Sequence, residues 1–148
     1  MGLFLLTLAL FASSAFADRT TNRIRFTALS KATPGGLTSD VVRDFAEDLG
    51  GFVWIATDQG VSRFDGWNTV HFRHDPTDLE SISSNHITSV ATPCKERGPV
   101  WLGTSAHGLV RLDSKNKATR FQSGTPEAAG LLSNTILDLD IAENRFLW

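Results

Sequence analysis

The chain has 148 residues, room for about one domain, and 41% hydrophobic and 20% charged residues are ordinary for a globular protein. Its net charge is -2 with the signs interspersed, which leaves no concentrated basic face of the kind a nucleic-acid or polyanion partner requires. Cys94 is the single cysteine, so the chain has neither an internal disulfide nor a four-cysteine metal site, and Cys94 reads as a small, partly buried residue with no special role.

Met1 to Ala17 predicts a cleaved export signal. Gly2 to Phe11 is almost entirely apolar, and Ser13-Ser14-Ala15-Phe16-Ala17 puts small residues at the first and third positions before a cut that leaves Asp18 at the new N-terminus. No Lys or Arg precedes Arg19, so a positive n-region is missing from the pattern. The apolar run of about ten residues is shorter than the about 20 that a membrane span needs, and no later segment is apolar enough to span. Residues 18–35 follow as an N-terminal segment. Within it Ile24-Arg25-Phe26 matches Val70-His71-Phe72 and Thr119-Arg120-Phe121, which predicts a lone closing strand.

Residues 36–80 form the first of three repeating units. Strand-like runs fall at Val41 to Glu47, Phe52 to Thr57, Val61 to Phe64 and Thr69 to Arg73. They are separated by turn chemistry: Asp48-Leu49-Gly50-Gly51, Asp58-Gln59-Gly60 and Asp65-Gly66-Trp67-Asn68. Residues 81–129 repeat the plan, with strands near Ile87 to Ala91, Val100 to Thr104, Leu109 to Leu112 and Ala118 to Gln122. Residues 130–148 begin a third unit and stop at Phe146-Leu147-Trp148, inside its second strand. No window shows the i, i+3, i+4, i+7 stripe of an amphipathic helix.

The units match block by block. Phe52-Val53-Trp54-Ile55-Ala56-Thr57 aligns with Pro99-Val100-Trp101-Leu102-Gly103-Thr104, and Trp54, Trp101 and Trp148 are 47 residues apart each time. Gly60-Val61-Ser62-Arg63-Phe64-Asp65 aligns with Gly108-Leu109-Val110-Arg111-Leu112-Asp113. Gly36-Leu37-Thr38-Ser39 aligns with Ser81-Ile82-Ser83-Ser84 and Gly130-Leu131-Leu132-Ser133. Four short strands in about 45 residues is the size of one β-propeller blade. A lone blade has two faces to bury, so blades stack around an axis. Trp54 and Trp101, large residues recurring in a central strand, are expected between blades. The fold class predicted is therefore all-β: propeller blades of four antiparallel strands, about two and a half of them, in an incomplete ring. On this reading the chain is a fragment or the product of a split gene, because a closed ring takes about four to eight blades.

These blocks resemble the two-component regulator propeller repeat. The resemblance rests on Leu37-Thr38-Ser39, Gly51-Phe52-Val53-Trp54-Ile55-Ala56-Thr57, Gly60-Val61-Ser62-Arg63-Phe64-Asp65-Gly66 and the linker His74 to Asn85, and it covers Ile24 to Trp148. Departures sit in turns and at small-residue positions: Ala56 stands where Gly is usual, Pro93 to Gly98 is a longer turn, and Ala142 to Arg145 lacks the turn Gly. The resemblance implies the periplasmic input region of a receptor anchored in the inner membrane, ending in a histidine kinase, often a hybrid one, or in a diguanylate cyclase. The partners implied are a small-molecule or oligosaccharide signal and the remaining blades and output domain of the parent. This chain carries no kinase or cyclase motif, so it is expected to bind rather than to catalyse. Two other readings compete: an exported propeller enzyme acting on polysaccharide, and a structural or protein-interaction propeller.

No catalytic, cofactor-binding or metal residue is assigned, and no cofactor is expected. His71 and His74 form an H-x-x-H pair, but an i, i+3 spacing on a strand puts the two rings on opposite faces, and no cluster completes a metal site. Among the inventory for a Ser–His–Asp site no G-x-S-x-G elbow occurs. Asp65 and Asp113 recur one unit apart, as do Arg63 and Arg111. Recurrence points to structural work, with Asp at a turn and Arg on a strand edge, and Asp40 and Asp58 are read as loop hydrogen-bonders. The loops expected to meet a ligand are those around Asp58-Gln59 and Ser105-Ala106-His107.

Overall fold

The computed structural model describes residues 28–93, 97–142 and 146–147. The export signal, the lone strand at Ile24 to Phe26, Cys94 and Trp148 lie outside the described residues. The chain folds into two four-stranded antiparallel sheets of identical plan. The first contains β1 (Val42–Glu47), β2 (Val53–Thr57), β3 (Gly60–Phe64) and β4 (Thr69–Phe72) in that order. The second contains β5 (Ile87–Ala91), β6 (Val100–Thr104), β7 (Leu109–Leu112) and β8 (Ala118–Phe121), again in chain order. A two-stranded pair, β9 (Ile141–Ala142) with β10 (Phe146–Leu147), begins a third unit. Every strand of the two sheets starts and ends within a residue of the run that the repeats predict. The described residues contain no α-helix, only a single 3-10 turn at Pro126–Ala128.

Each sheet is a meander, with every strand paired to the next one in the chain. Gly60 and Gly108, the paired residues that open β3 and β7, show why the turns demand glycine. Both have positive φ, 111° and 75°, and a Cβ at either would strike the carbonyl oxygen of Phe72 or Phe121 on the next strand. Asp65 and Asp113 work as expected at the β3–β4 and β7–β8 turns. Asp65 Oδ1 accepts from the Trp67 and Asn68 amides at 2.8 and 2.6 Å, and Asp113 Oδ1 accepts from Lys115 and Lys117 at 2.8 and 2.9 Å. The Asn68 and Lys117 amides respectively are the main reason both carboxyls sit below the usual carboxylate range.

The core lies between the two sheets. Trp54, Ala56 and Val61 of the first pack with Ile87, Val90, Val100, Leu102, Val110 and Leu112 of the second and with Ile82 of the linker between them. Trp54 is buried, stacks on Phe72 at 5.3 Å, and donates Nε1–H to Asp48 Oδ2 at 2.8 Å. It therefore packs between blades, as its recurrence predicts. Ala56, the departure from glycine, is fully buried in the same core. Trp101 is half-buried and meets Phe121 at 5.7 Å. The expectation for Arg63 needs correction: it lies on β3, an interior strand of its sheet, and not at an edge. Its guanidinium sits over the rings of Phe52, Trp54 and Phe72 and donates to Asn116 Oδ1 of the second sheet at 3.2 Å. The register explains this, since Arg63 is directly opposite Trp54 and Arg111 is opposite Trp101. A cation over a ring face gains from the π quadrupole, so an Arg there covers the Trp.

The first strands of the two sheets, β1 and β5, face each other. Val90 N donates to Asp44 Oδ2 at 2.8 Å and Thr92 Oγ1 donates to the Glu47 carbonyl at 2.8 Å. The linkers add a second repeated clamp. The amides of Gly60 and Gly108 donate to the carbonyls of Asn85 and Asn134 at 2.7 and 2.8 Å, fastening each sheet to the start of the next unit. The side chains at these linker positions also repeat their work. Asp40, Asn85 and Asn134 accept through Oδ1 from the amides of Lys31, His74 and Ser123 at 2.7, 2.8 and 2.7 Å. Asp40 is thus the loop hydrogen-bonder that its position implies.

Candidate functional site

Both β1 and β5 carry a bulge. Pairing with β2 passes from Val42 to Asp44 and skips Arg43, and pairing with β6 passes from Ile87 to Ser89 and skips Thr88. A bulge leaves one residue outside the ladder and re-aims its side chain, which is why bulges gather at functional rims. Arg43 lies three residues past Asp40, Thr88 three past Asn85, and Leu137 three past Asn134. These equivalent residues from three successive units line one open groove, together with Asp58, His86, Ile87 and Ser105.

Asp58 and Ser105 are also equivalent, each the first residue after β2 or β6. The groove is thus built from repeated positions that do not repeat their chemistry: Arg, Thr and Leu at the inner-strand slot, Asp and Ser at the turn. The residues that do repeat, such as Thr57 and Thr104 or Gly60 and Gly108, make the same bonds in both sheets. Thr57 Oγ1 donates to the Gly60 carbonyl at 2.8 Å and Thr104 Oγ1 to the Gly108 carbonyl at 2.7 Å.

Asp58 departs from its reading as a loop hydrogen-bonder. It accepts no hydrogen bond from the described residues, and its Oδ1 is closed to water without a partner. The turn explains this: the amide of Gln59 is taken by Thr57 Oγ1 at 3.0 Å and that of Gly60 by the Asn85 carbonyl. The two loops expected at a ligand mouth therefore share one end of the sheets, and the groove joins Asp58 of one to Ser105 of the other. Gln59 is exposed and outside the lining, and His107 lines a neighbouring groove with His74, Ser83 and Arg120. Sequence reasoning missed Arg43, His86 and Thr88. The available signal was the count of three residues past each linker Asp or Asn, which marks the variable slot.

The histidine pair takes separate partners, His71 on β4 and His74 past its end. His71 Nδ1 lies 3.2 Å from Ser62 Oγ, and His74 Nδ1 lies 2.8 Å from the Ile82 carbonyl. Among the described residues no three of His, Cys, Asp and Glu come together as a metal site. No helix among them is long and apolar enough to cross a membrane.

No family model matches the chain, and no curated protein matches it. Solved structures do. The extracellular domain of a proposed hybrid two component system from B. thetaiotaomicron matches at a TM-score of 0.65 and 24% identity, over 76% of this chain. The extracellular domain of a proposed one component system from the same organism matches at 0.61 and 20% identity, over 80% of this chain. The match spans 16% of the length of each. These neighbours agree with the resemblance to the two-component regulator propeller repeat. The chain accordingly has the all-β propeller-blade fold found in these extracellular domains.

Proposed function

We propose that this chain is part of an extracytoplasmic ligand-sensing β-propeller, the periplasmic input region of a bacterial receptor of the two-component histidine kinase type. The single observation that carries the reading is the mouth groove: a repeated scaffold presents, at matched slots, side chains that differ from unit to unit. Structural duties recur in every blade, whereas recognition of an asymmetric ligand needs different groups at equivalent positions. The fold shared with extracellular domains of signalling proteins supports the same reading. The signal is a small molecule or an oligosaccharide, and the parent supplies further blades, an inner-membrane anchor and the output domain, a histidine kinase in preference to a diguanylate cyclase.

Immunoblotting of membrane and periplasmic fractions, with antibody against this segment, tests the proposal. The expected product is a membrane-bound band far larger than 148 residues. A soluble periplasmic band of only this chain's size refutes the receptor.

A further inference from the structure

The sensory reading above leaves open what the mouth groove recognises, and the charges there narrow it. Arg43 and Asp58 both line the groove, and they are close in the sheet: Asp58 follows Thr57, whose register partner, Val42, precedes Arg43. Yet they form no ion pair. The only salt bridge among the described residues joins Lys117 to Glu80. Neither the Arg43 guanidinium nor the Asp58 carboxylate has a hydrogen-bond partner among the described residues.

That is unusual for an aspartate in this fold. Asp44, Asp48, Asp65 and Asp113 each accept at least one backbone amide. Asp58 accepts none, and one of its oxygens is shut away from water. A carboxylate so placed is under-compensated, and a cation arriving at its other oxygen would recover part of the lost solvation. Arg43 is exposed at the bulge and offers a planar fork of donors suited to a carboxylate. The remaining polar lining, His86, Thr88 and Ser105, is neutral or weakly basic, and Thr88 Oγ1 is already committed to the Ile136 carbonyl at 2.7 Å. The lining holds no Phe, Tyr or Trp and its one ring is the small imidazole of His86, so the groove lacks the broad ring face on which an uncharged sugar would stack.

We infer that this groove binds a small zwitterion, an α-amino acid, with its carboxylate on Arg43 and its ammonium on Asp58. The inference rests on the sensory reading and names the ligand class for that same site. Ser105 and His86 border the bound group, and Leu137 gives the side chain an apolar neighbour.

Calorimetric titration of the full-length protein tests it. The probes are the common L-amino acids, then the amide and the N-acetyl form of whichever binds, and maltose as an uncharged sugar. The expected result is saturable binding of a free amino acid, weakened about tenfold or more by either cap. Arg43→Gln is expected to abolish the discrimination against the amide, and Asp58→Asn that against the N-acetyl form. Leu137→Ser should change which side chain is preferred and leave both discriminations intact. Equal binding of free and capped forms overturns the inference, and so does the absence of amino-acid binding in a protein whose circular dichroism shows intact sheets. Binding of maltose that is lost in Arg43→Gln overturns the zwitterion and leaves the sensory function standing, because that function is judged separately by the size and location of the native product.

Discussion

Truncating Trp54 probes the contact that joins the two sheets. Trp54 is 3% exposed, and a Trp buries about 150–250 Å². At about 25 cal/mol per Å² that amounts to roughly 4–6 kcal/mol as an upper bound. Measured large-to-small changes of Trp to Ala fall at about 3–5 kcal/mol, so Trp54→Ala is expected to cost about 4 kcal/mol. Trp54→Phe keeps a ring beneath Arg63 and against Phe72 but loses the 2.8 Å bond from Nε1 to Asp48. A smaller cost of about 1–2 kcal/mol follows, since one hydrogen bond and part of the volume are lost. Urea unfolding monitored by far-ultraviolet circular dichroism, at low temperature, resolves both. Domains of this kind hold only about 5–15 kcal/mol in total, so the Ala variant should lose most of its urea resistance. A loss below about 1.5 kcal/mol in Trp54→Ala, or equal losses in the two variants, refutes the placement of this ring between the blades.

Gly108→Ala should destabilise far more than Gly66→Ala, by about 3 kcal/mol or more against about 1, because both have positive φ but only at Gly108 does a methyl meet a backbone carbonyl. Urea midpoints of the two variants decide it. Asn85→Ala removes the acceptor of the His74 amide and is expected to cost about 1–2 kcal/mol, with Asn134→Ala comparable in the next unit, by the same measurement. Asp65 and Asp113 have carboxyls held below their unfolded values by turn amides, so their stabilisation is present above pH 4 or so and is lost as the pH falls through the lower, folded values. The urea midpoint should therefore fall with acidification in that range, and the Asp65→Asn, Asp113→Asn double variant should show a shallower fall.

Much of the fold was legible because repeats double every observation. Trp54 and Trp101, Gly60 and Gly108, and Asp65 and Asp113 each sit in the same place twice, so strand bounds and turn roles read off the spacing. Arg63 was misread because a lone strand does not show that it pairs on both sides: β3 lies between β2 and β4, which puts Arg63 between Trp54 and Val70. The groove was legible only as two loops. Arg43 and Thr88 escaped because a bulge is a property of pairing between strands, invisible along one of them. Asp58 was placed in the right loop but read as a hydrogen-bonder, because Asp in a tight turn usually bonds a nearby amide, and here Thr57 Oγ1 and the Asn85 carbonyl had taken both.

The bulged slot separates two kinds of selection. A residue outside the ladder contributes little to pairing, so an exchange at 43 is nearly free of consequence for folding and one at 88 costs only the bond from Thr88 Oγ1, whereas changes at Thr57, Gly60 or Asn85 reach the frame itself. Each of the two sheets thus offers one position where novelty is cheaper than in the frame, and a propeller of such sheets acquires a new preference by drifting at one slot after another while its frame stays under strict constraint.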